Sequence, residues 1–173
     1  MVETWGTDEH RVGLKPILRK VWSPKGQRPI ALVRHRYEWL YLVGFVHPPS
    51  GRAAWYLVPR ISLQIFGQVL ALFALEQGVG EKKVILLALD RAGWHFSREL
   101  QVPTGIVLEF QPSYSPEVQP AEHLWPLCDQ ALVNESCDSI EELETRLGER
   151  CCVLSDQPDL LRSATFFHWW PQS

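Results

Sequence analysis

Residues 84–89, Val-Ile-Leu-Leu-Ala-Leu, form an unbroken apolar run that stops on Asp90. The run lacks the alternation of a half-solvated strand and is too short for a helix. It reads as a strand buried on both faces, a position found in sheets with helices on each side. A chain built around such a strand needs helices before and after it, and the sequence supplies both. Ser62 can cap a helix, in which Ile65, Val69, Leu72, Phe73 and Leu75 recur at helical spacing until Gly78 and Gly80 stop it. After Asp90 come a short helical piece at Trp94–Leu100, a strand at Ile106–Phe110 and a proline-punctuated loop from Pro112 to Pro120. Pro120 stands at or near the first position of a helix running from Ala121 to about Val133. A last helix spans Asp138–Arg150, capped by Asp138 or Ser139, with acids in its first turn.

The front of the chain reads differently. Val2–Thr7 is short and β-prone and runs into Asp8-Glu9. Residues 11–29 are basic and broken by glycine and proline, the pattern of a long loop. Ile30–Val33 and Tyr37–Val46 read as strands joined by Arg34-His35-Arg36; Pro48-Pro49-Ser50-Gly51 is a turn, and Ala53–Val58 is strand-like. Three initial strands with short turns imply antiparallel hairpins, and the later alternation of strand and helix implies parallel strands. The fold class is therefore α/β, a mixed sheet with helices on its faces, in one domain over residues 1–173.

Composition removes several functions. Hydrophobic residues at 46% and charged residues at 21% exclude a disordered chain. No apolar run approaches the ~18 residues of a membrane span. Met-Val-Glu-Thr-Trp is not the start of a signal peptide. Cys128, Cys137, Cys151 and Cys152 lack zinc-ligand spacing and read as reduced thiols of a cytosolic protein. The net charge of −3 is not that of a freestanding, non-specific nucleic-acid binder. Charge is uneven, however: residues 1–36 carry eight Lys/Arg against three acids, and residues 117–161 carry eleven acids against two arginines. The basic third either faces an anionic partner or is a solvated loop.

Three acids sit where chemistry would want them. Asp8 ends the first strand-like run, Asp90 ends the buried run, and Glu122 lies in the first turn after Pro120. Polar residues at the carboxyl ends of strands line the crevice of an open α/β sheet. If the strands carrying Asp8 and Asp90 are neighbours, about 4.8 Å separates them, and two carboxylates that close call for a cation or a shared proton. Hard oxygen ligands suit Mg²⁺ or Mn²⁺, and such a site suits two-metal phosphoryl transfer. Two of the acids also have a plainer explanation. Asp90 would cap the next helix, and an acid in the first helical turn satisfies the helix dipole.

The residues in order resemble a family. Asp90-Arg91-Ala92-Gly93-Trp94-His95 after the apolar strand, and Gln111-Pro112-Ser113-Tyr114-Ser115-Pro116-Glu117-Val118-Gln119-Pro120-Ala121-Glu122-His123-Leu124-Trp125, are similar to the second and third catalytic blocks of the D,D,E transposases. The closer likeness is to the bacterial insertion-sequence branch related to mariner elements, whose blocks read roughly D-N-x-x-x-H and L-P-P-Y-S-P-E-L-N-P-I-E-x-x-W. Trp5-Gly6-Thr7-Asp8-Glu9-His10 resembles the first block, and 31 residues separate Asp90 from Glu122, near the family's spacing. Arg91, Ser113 and Gln119 depart from the pattern without removing a carboxylate.

The resemblance implies an RNase H-like five-stranded sheet in which the strands of Asp8 and Asp90 lie side by side and Glu122 reaches in from a helix. It implies that Asp8, Asp90 and Glu122 are catalytic and hold Mg²⁺, with Mn²⁺ as substitute, as two ions. The activity would be cleavage at transposon ends, then attack of the freed 3′-hydroxyl on target DNA, with TA targets favoured. DNA contacts are expected from Arg11, Lys15, Arg19, Lys20, Lys25 and Arg28, with Arg91 and His95 beside the scissile phosphate. For Arg91 the alternative is a surface ion pair, and for His95 it is packing or capping. Tyr114 and Ser115 are expected to shape the proline loop, Trp125 to pack its helix on the sheet, and Glu9 to be exposed; Trp169-Trp170 is either core or an interface. No helix-turn-helix is seen, so a separate DNA-binding partner or N-terminal half is expected, with a homodimer on DNA and no membrane association. The protein would be cytoplasmic and nucleoid-associated when active. The alternatives are a decayed, non-catalytic remnant and a freestanding RNase H-like nuclease.

Overall fold

The computed structural model describes residues 1–27, 30, 36–95, 97–112 and 118–171. Five strands form one sheet in the order β3-β2-β1-β4-β5. They are β1 (Val2–Gly13), β2 (Trp39–His47), β3 (Arg52–Val58), β4 (Val84–Leu89) and β5 (Ile106–Phe110). β1 pairs antiparallel with β2, and β2 with β3. β1 pairs parallel with β4, and β4 with β5. The mixed sheet matches the expected class, and β4 and β5 fall on the residues expected of them.

Alternation along β1 and β2 sorts side chains to two faces. On one face Trp5, Val43 and Phe45 meet α1 (Leu63–Glu76) through Phe66, Val69, Leu70 and Phe73, and β4 adds Ile85, Leu87 and Leu89. Phe45 and Phe73 stack with ring centroids 4.1 Å apart. Ser62 caps α1 by accepting from the Ile65 N–H, as its position in the sequence implied. The other face of the sheet is covered by α2 (Trp125–Asp129), α3 (Ile140–Ser155) and α4 (Pro158–Thr165). There Leu42 and Val46 pack with Leu124, Trp125, Cys128, Leu154 and Leu161, while Val12, Leu14 and Leu40 pack with Leu143 and Leu147. The Cys128, Cys137, Cys151 and Cys152 thiols are free.

Several expectations are corrected. β1 does not stop at Thr7: polar Asp8, Glu9 and His10 continue it, because Gly6 to Gly13 all find partners along β2. The antiparallel trio is thus β1, β2 and β3; Ile30 is exposed outside any strand, and residues 31–33 lie outside the described residues. Trp94–Leu100 holds turns and no helix among its described residues, since Ser97 and Asp90 cap short turns there. The helix from Ala121 is a 3-10 turn, Pro120–Leu124, followed by the brief α2. Pro126 near the start of α2 has no N–H to continue the ladder. Helix α4 was not anticipated. The last helix begins after Ser139, which caps it, and runs five residues past Arg150.

Candidate functional site

β1 is paired on both sides over its first half, but its partnership with β4 ends at Gly6↔Ala88. Asp8 lies midway along β1, two residues past the last pair with β4, where it opposes Gly44 of β2. Continuing the β1–β4 register by two residues would bring it opposite Asp90, just past the end of β4. The 3-10 turn carrying Glu122 reaches the same end of the sheet. Gln119 pins it there: its Nε2 donates to the Thr7 carbonyl at 3.0 Å, and its Oε1 accepts from the Ala121 N–H. Gln111 closes the base of the proline loop by donating to the Val118 carbonyl at 2.9 Å. Tyr114 and Ser115, expected to shape that loop, lie outside the described residues.

Asp8 is addressed from the α2 face. The Trp125 indole N–H donates to its Oδ2 at 2.8 Å. Trp125 lies flat on His10, 5.1 Å between ring centres and 10° between planes, and His10 is held 2.8 Å from Asp129 Oδ1. Burial pushes the Asp8 carboxyl up to about 7; the Trp125 hydrogen bond opposes this, while the charges of Glu9 and Glu122 add to it. The sequence placed Trp125 in packing only. Its position three residues after Glu122 on a bent helix was the one signal for a second role.

Asp90 is addressed from the opposite, α1 face. Its Oδ1 accepts from the Ala92 N–H at 2.9 Å and lies 2.7 Å from His95 Nδ1. The other ring nitrogen, Nε2, lies 2.7 Å from Glu9 Oε1. Burial alone would lower the His95 pKa, but hydrogen bonds to Asp90 and Glu9 outweigh it and raise it to about 9. The imidazolium thus donates from both nitrogens. His95 also holds Asp90 below the ordinary carboxylate range, against the effect of burial. Glu9 is not the exposed residue expected, since its side chain is 6% exposed. Alternation explains this: one position beyond Asp8, Glu9 points to the other face of β1. The His95 side chain is enclosed as well, at 0% exposed.

The described basic residues expected to meet DNA are exposed. Lys15, Arg19, Lys20 and Lys25 are exposed in the segment after β1, Arg11 is exposed with its guanidinium 4.2 Å over Trp39, and Arg91 is exposed next to Asp90. Arg28 lies outside the described residues. Trp170 is buried and Trp169 half exposed, so that pair divides between the two expectations.

The side chains that would hold a divalent cation are Asp8, Asp90 and Glu122. The donor set fits a hard ion in kind, because Asp8 is a buried carboxyl burdened by two neighbouring negative charges. The ligands are not gathered: among the described residues, no three of His, Cys, Asp or Glu stand close enough to enclose an ion.

Known proteins resemble this chain in sequence and fold. The family model described as DDE superfamily endonuclease matches residues 3–144. An uncharacterized protein of Sinorhizobium fredii, y4pE/y4sA, is 32% identical over 136 residues, which is 76% of this chain and 96% of that one. An uncharacterized 39 kDa protein of insertion element IS630 from Shigella sonnei is 30% identical over 142 residues, 79% of this chain and 40% of that one. Among solved structures, the Mos1 mariner paired end complex with Mn aligns with a TM-score of 0.61 and 14% identity, over 97% of this chain and 57% of that one. The Mos1 strand transfer complex aligns with a TM-score of 0.57 and 18% identity, over 97% and 56%. These two likenesses establish a shared, RNase H-like fold, and the chain spans little more than half of the Mos1 protein. With the family model covering most of its length, this chain belongs to the DDE superfamily of endonucleases.

Proposed function

We propose that the chain is the catalytic domain of a DNA transposase, hydrolysing strands at the ends of a mobile element and joining the freed 3′-hydroxyl to target DNA. One observation carries the reading: Asp8 and Asp90 each lie two residues past the last pair joining the parallel strands β1 and β4, and Glu122 is close enough to add to the upward shift of the Asp8 pKa. Asp8, Asp90 and Glu122 would hold two Mg²⁺ or Mn²⁺ ions, and relatives with this fold were solved with Mn and with Mg. Held there, such ions would supply activation of an attacking oxygen and compensation of charge developing on the phosphate. The chain's own residues arrange this. Trp125 holds one Asp8 oxygen, Gln119 fixes the turn that presents Glu122, and exposed Lys15, Arg19, Lys20, Lys25 and Arg91 offer cations to DNA phosphates.

The partners in this reading are transposon ends, target DNA with TA sites favoured, a second copy of the chain on paired ends, and a helix-turn-helix segment supplied elsewhere. The compartment would be the bacterial cytoplasm, at the nucleoid. One observation favours a second reading, a folded remnant without activity: the three carboxyl groups are not gathered.

Mn²⁺ titration by calorimetry on the wild type and on Asp90→Asn separates the two. A loss of about tenfold or more in affinity, roughly 1.4 kcal/mol, supports an assembled centre, to be followed by cleavage and strand-transfer assays on duplex ends. Equal affinities, or no binding by either, refute it.

A further inference from the structure

The transposase reading gives no task to Glu9 or His95, yet they are among the most constrained polar groups in the molecule. The His95 ring is fully enclosed, 4.4 Å from the Phe66 ring and 5.9 Å from that of Trp94. Each ring nitrogen meets a carboxylate oxygen at 2.7 Å. Turning the ring over would replace both nitrogens by carbons and break both contacts, so its orientation is fixed. Asp90 itself has little other support. It lies just past the end of β4, and its side chain is 57% exposed. His95 and the Ala92 N–H both bind Oδ1, which leaves Oδ2 to meet a ligand.

Glu9 belongs to β1, next to Asp8. The contact from Glu9 through His95 to Asp90 therefore ties the strand bearing one aspartate to the turn bearing the other. Metal-binding carboxylates elsewhere are oriented by such outer groups, whose loss weakens metal affinity.

We propose that Glu9 and His95 form a positioning pair for Asp90: Glu9 holds the buried imidazole, the imidazole holds Oδ1, and Oδ2 is thereby presented to a divalent cation. The inference rests on Asp90 being a ligand, as in the reading above.

The probe is Mn²⁺ alone, titrated by calorimetry into the full chain, with a urea melt of each variant as a folding control. Glu9→Gln keeps shape and an acceptor but removes the charge that orients His95. His95→Asn keeps an N–H near the position of Nδ1 and loses the reach to Glu9. His95→Ala removes both contacts. His95→Ala should weaken Mn²⁺ binding by about tenfold or more, and His95→Asn should restore part of the loss. Glu9→Gln should weaken binding in the wild type and change nothing further in the His95→Asn background. A purely structural pair would shift the melts and leave the affinities of folded variants alone, which overturns the proposal. Equal weakening by Glu9→Gln in both backgrounds also overturns it, because Glu9 would then act directly. If His95→Asn does not fold, Glu9→Gln decides alone, and an unchanged affinity refutes the pair. If Asp90→Asn binds Mn²⁺ as the wild type does, the carboxylate centre itself is wrong and the pair falls with it, an outcome distinct from the others.

Discussion

Gly44→Ala tests how the sheet makes room for the group that holds Asp8. Gly44 opposes Asp8 across the β1–β2 pair. A Cβ at residue 44 would lie 2.9 Å from Cη2 and 3.2 Å from Cζ3 of Trp125, and 3.3 Å from Leu124 Cδ1. Carbon atoms rest at about 3.5–4.0 Å, so the indole must retreat by roughly 0.6 Å or more. Its N–H bonds to Asp8 at 2.8 Å; a retreat of that size takes it to about 3.4 Å, the edge of a hydrogen bond. Overpacking costs about 1–3 kcal/mol, and weakening a bond to a carboxylate costs up to about 1.5–3 kcal/mol. Alanine in a strand recovers roughly 0.5–1 kcal/mol over glycine. The net loss should be about 2–4 kcal/mol, or roughly 5–15 °C in Tm for a chain of this length. Urea unfolding of Gly44→Ala, Trp125→Phe and the double variant checks it. Phenylalanine lacks the outer ring atoms that would clash, so Gly44→Ala should cost little in that background. A neutral Gly44→Ala, or an equal cost in both backgrounds, refutes the reasoning.

Two further outcomes follow from the far end of the sheet. Burial would raise the Glu3 carboxyl, but hydrogen bonds from Trp5, Arg52 and Lys83 bring it down to about 2, with Arg52 at 2.8 Å and Lys83 at 3.2 Å. A carboxylate with a depressed folded pKa stabilises the fold above its unfolded value and loses that contribution as pH falls toward the folded one. Glu3→Gln should therefore cost up to about 3 kcal/mol at neutral pH, hold that difference down to about pH 5, and show a shrinking difference below it; a difference unchanged at about pH 3 in urea melts would contradict this. Gly51→Ala should fail outright, because Gly51 has φ +69° and a Cβ there would sit 1.8 Å from the Pro158 carbonyl oxygen at the start of α4. Soluble yield and circular dichroism read that directly, and a wild-type melting curve would refute it.

The backbone of the site was legible because its signals are local. An unbroken apolar run marked β4, an acid at its end marked Asp90, and proline before Glu122 marked a helical start. What the sequence did not reveal is how side chains meet across the sheet. Glu9 follows Asp8 directly, and only the pleat sends it to the opposite face, toward a histidine 86 residues away. Trp125 reads as packing because most tryptophans pack; its N–H finds Asp8 only because Gly44 leaves the strand surface open. The short helical piece at Trp94–Leu100 failed for a related reason. Apolar residues there serve a turn folded around His95, and their spacing mimics a helix without its hydrogen bonds. Helix α4 carries Pro158 at its start and the αβ contact to Gly51, neither of which shows as periodicity.

The three acids differ in how firmly they are held, and this orders how a cation would assemble the centre. Asp8 belongs to a continuous strand and has a fixed donor on one oxygen. Asp90 stands beyond its strand and depends on Ala92 and His95. Glu122 is exposed on a 3-10 turn, fixed through Gln119 and not through its own side chain. A group already buried, and raised in pKa by neighbouring acids, gains most from an arriving positive charge. Asp8 and Asp90 are thus gripped from opposite faces of one sheet, while Glu122 is placed only through the turn that carries it.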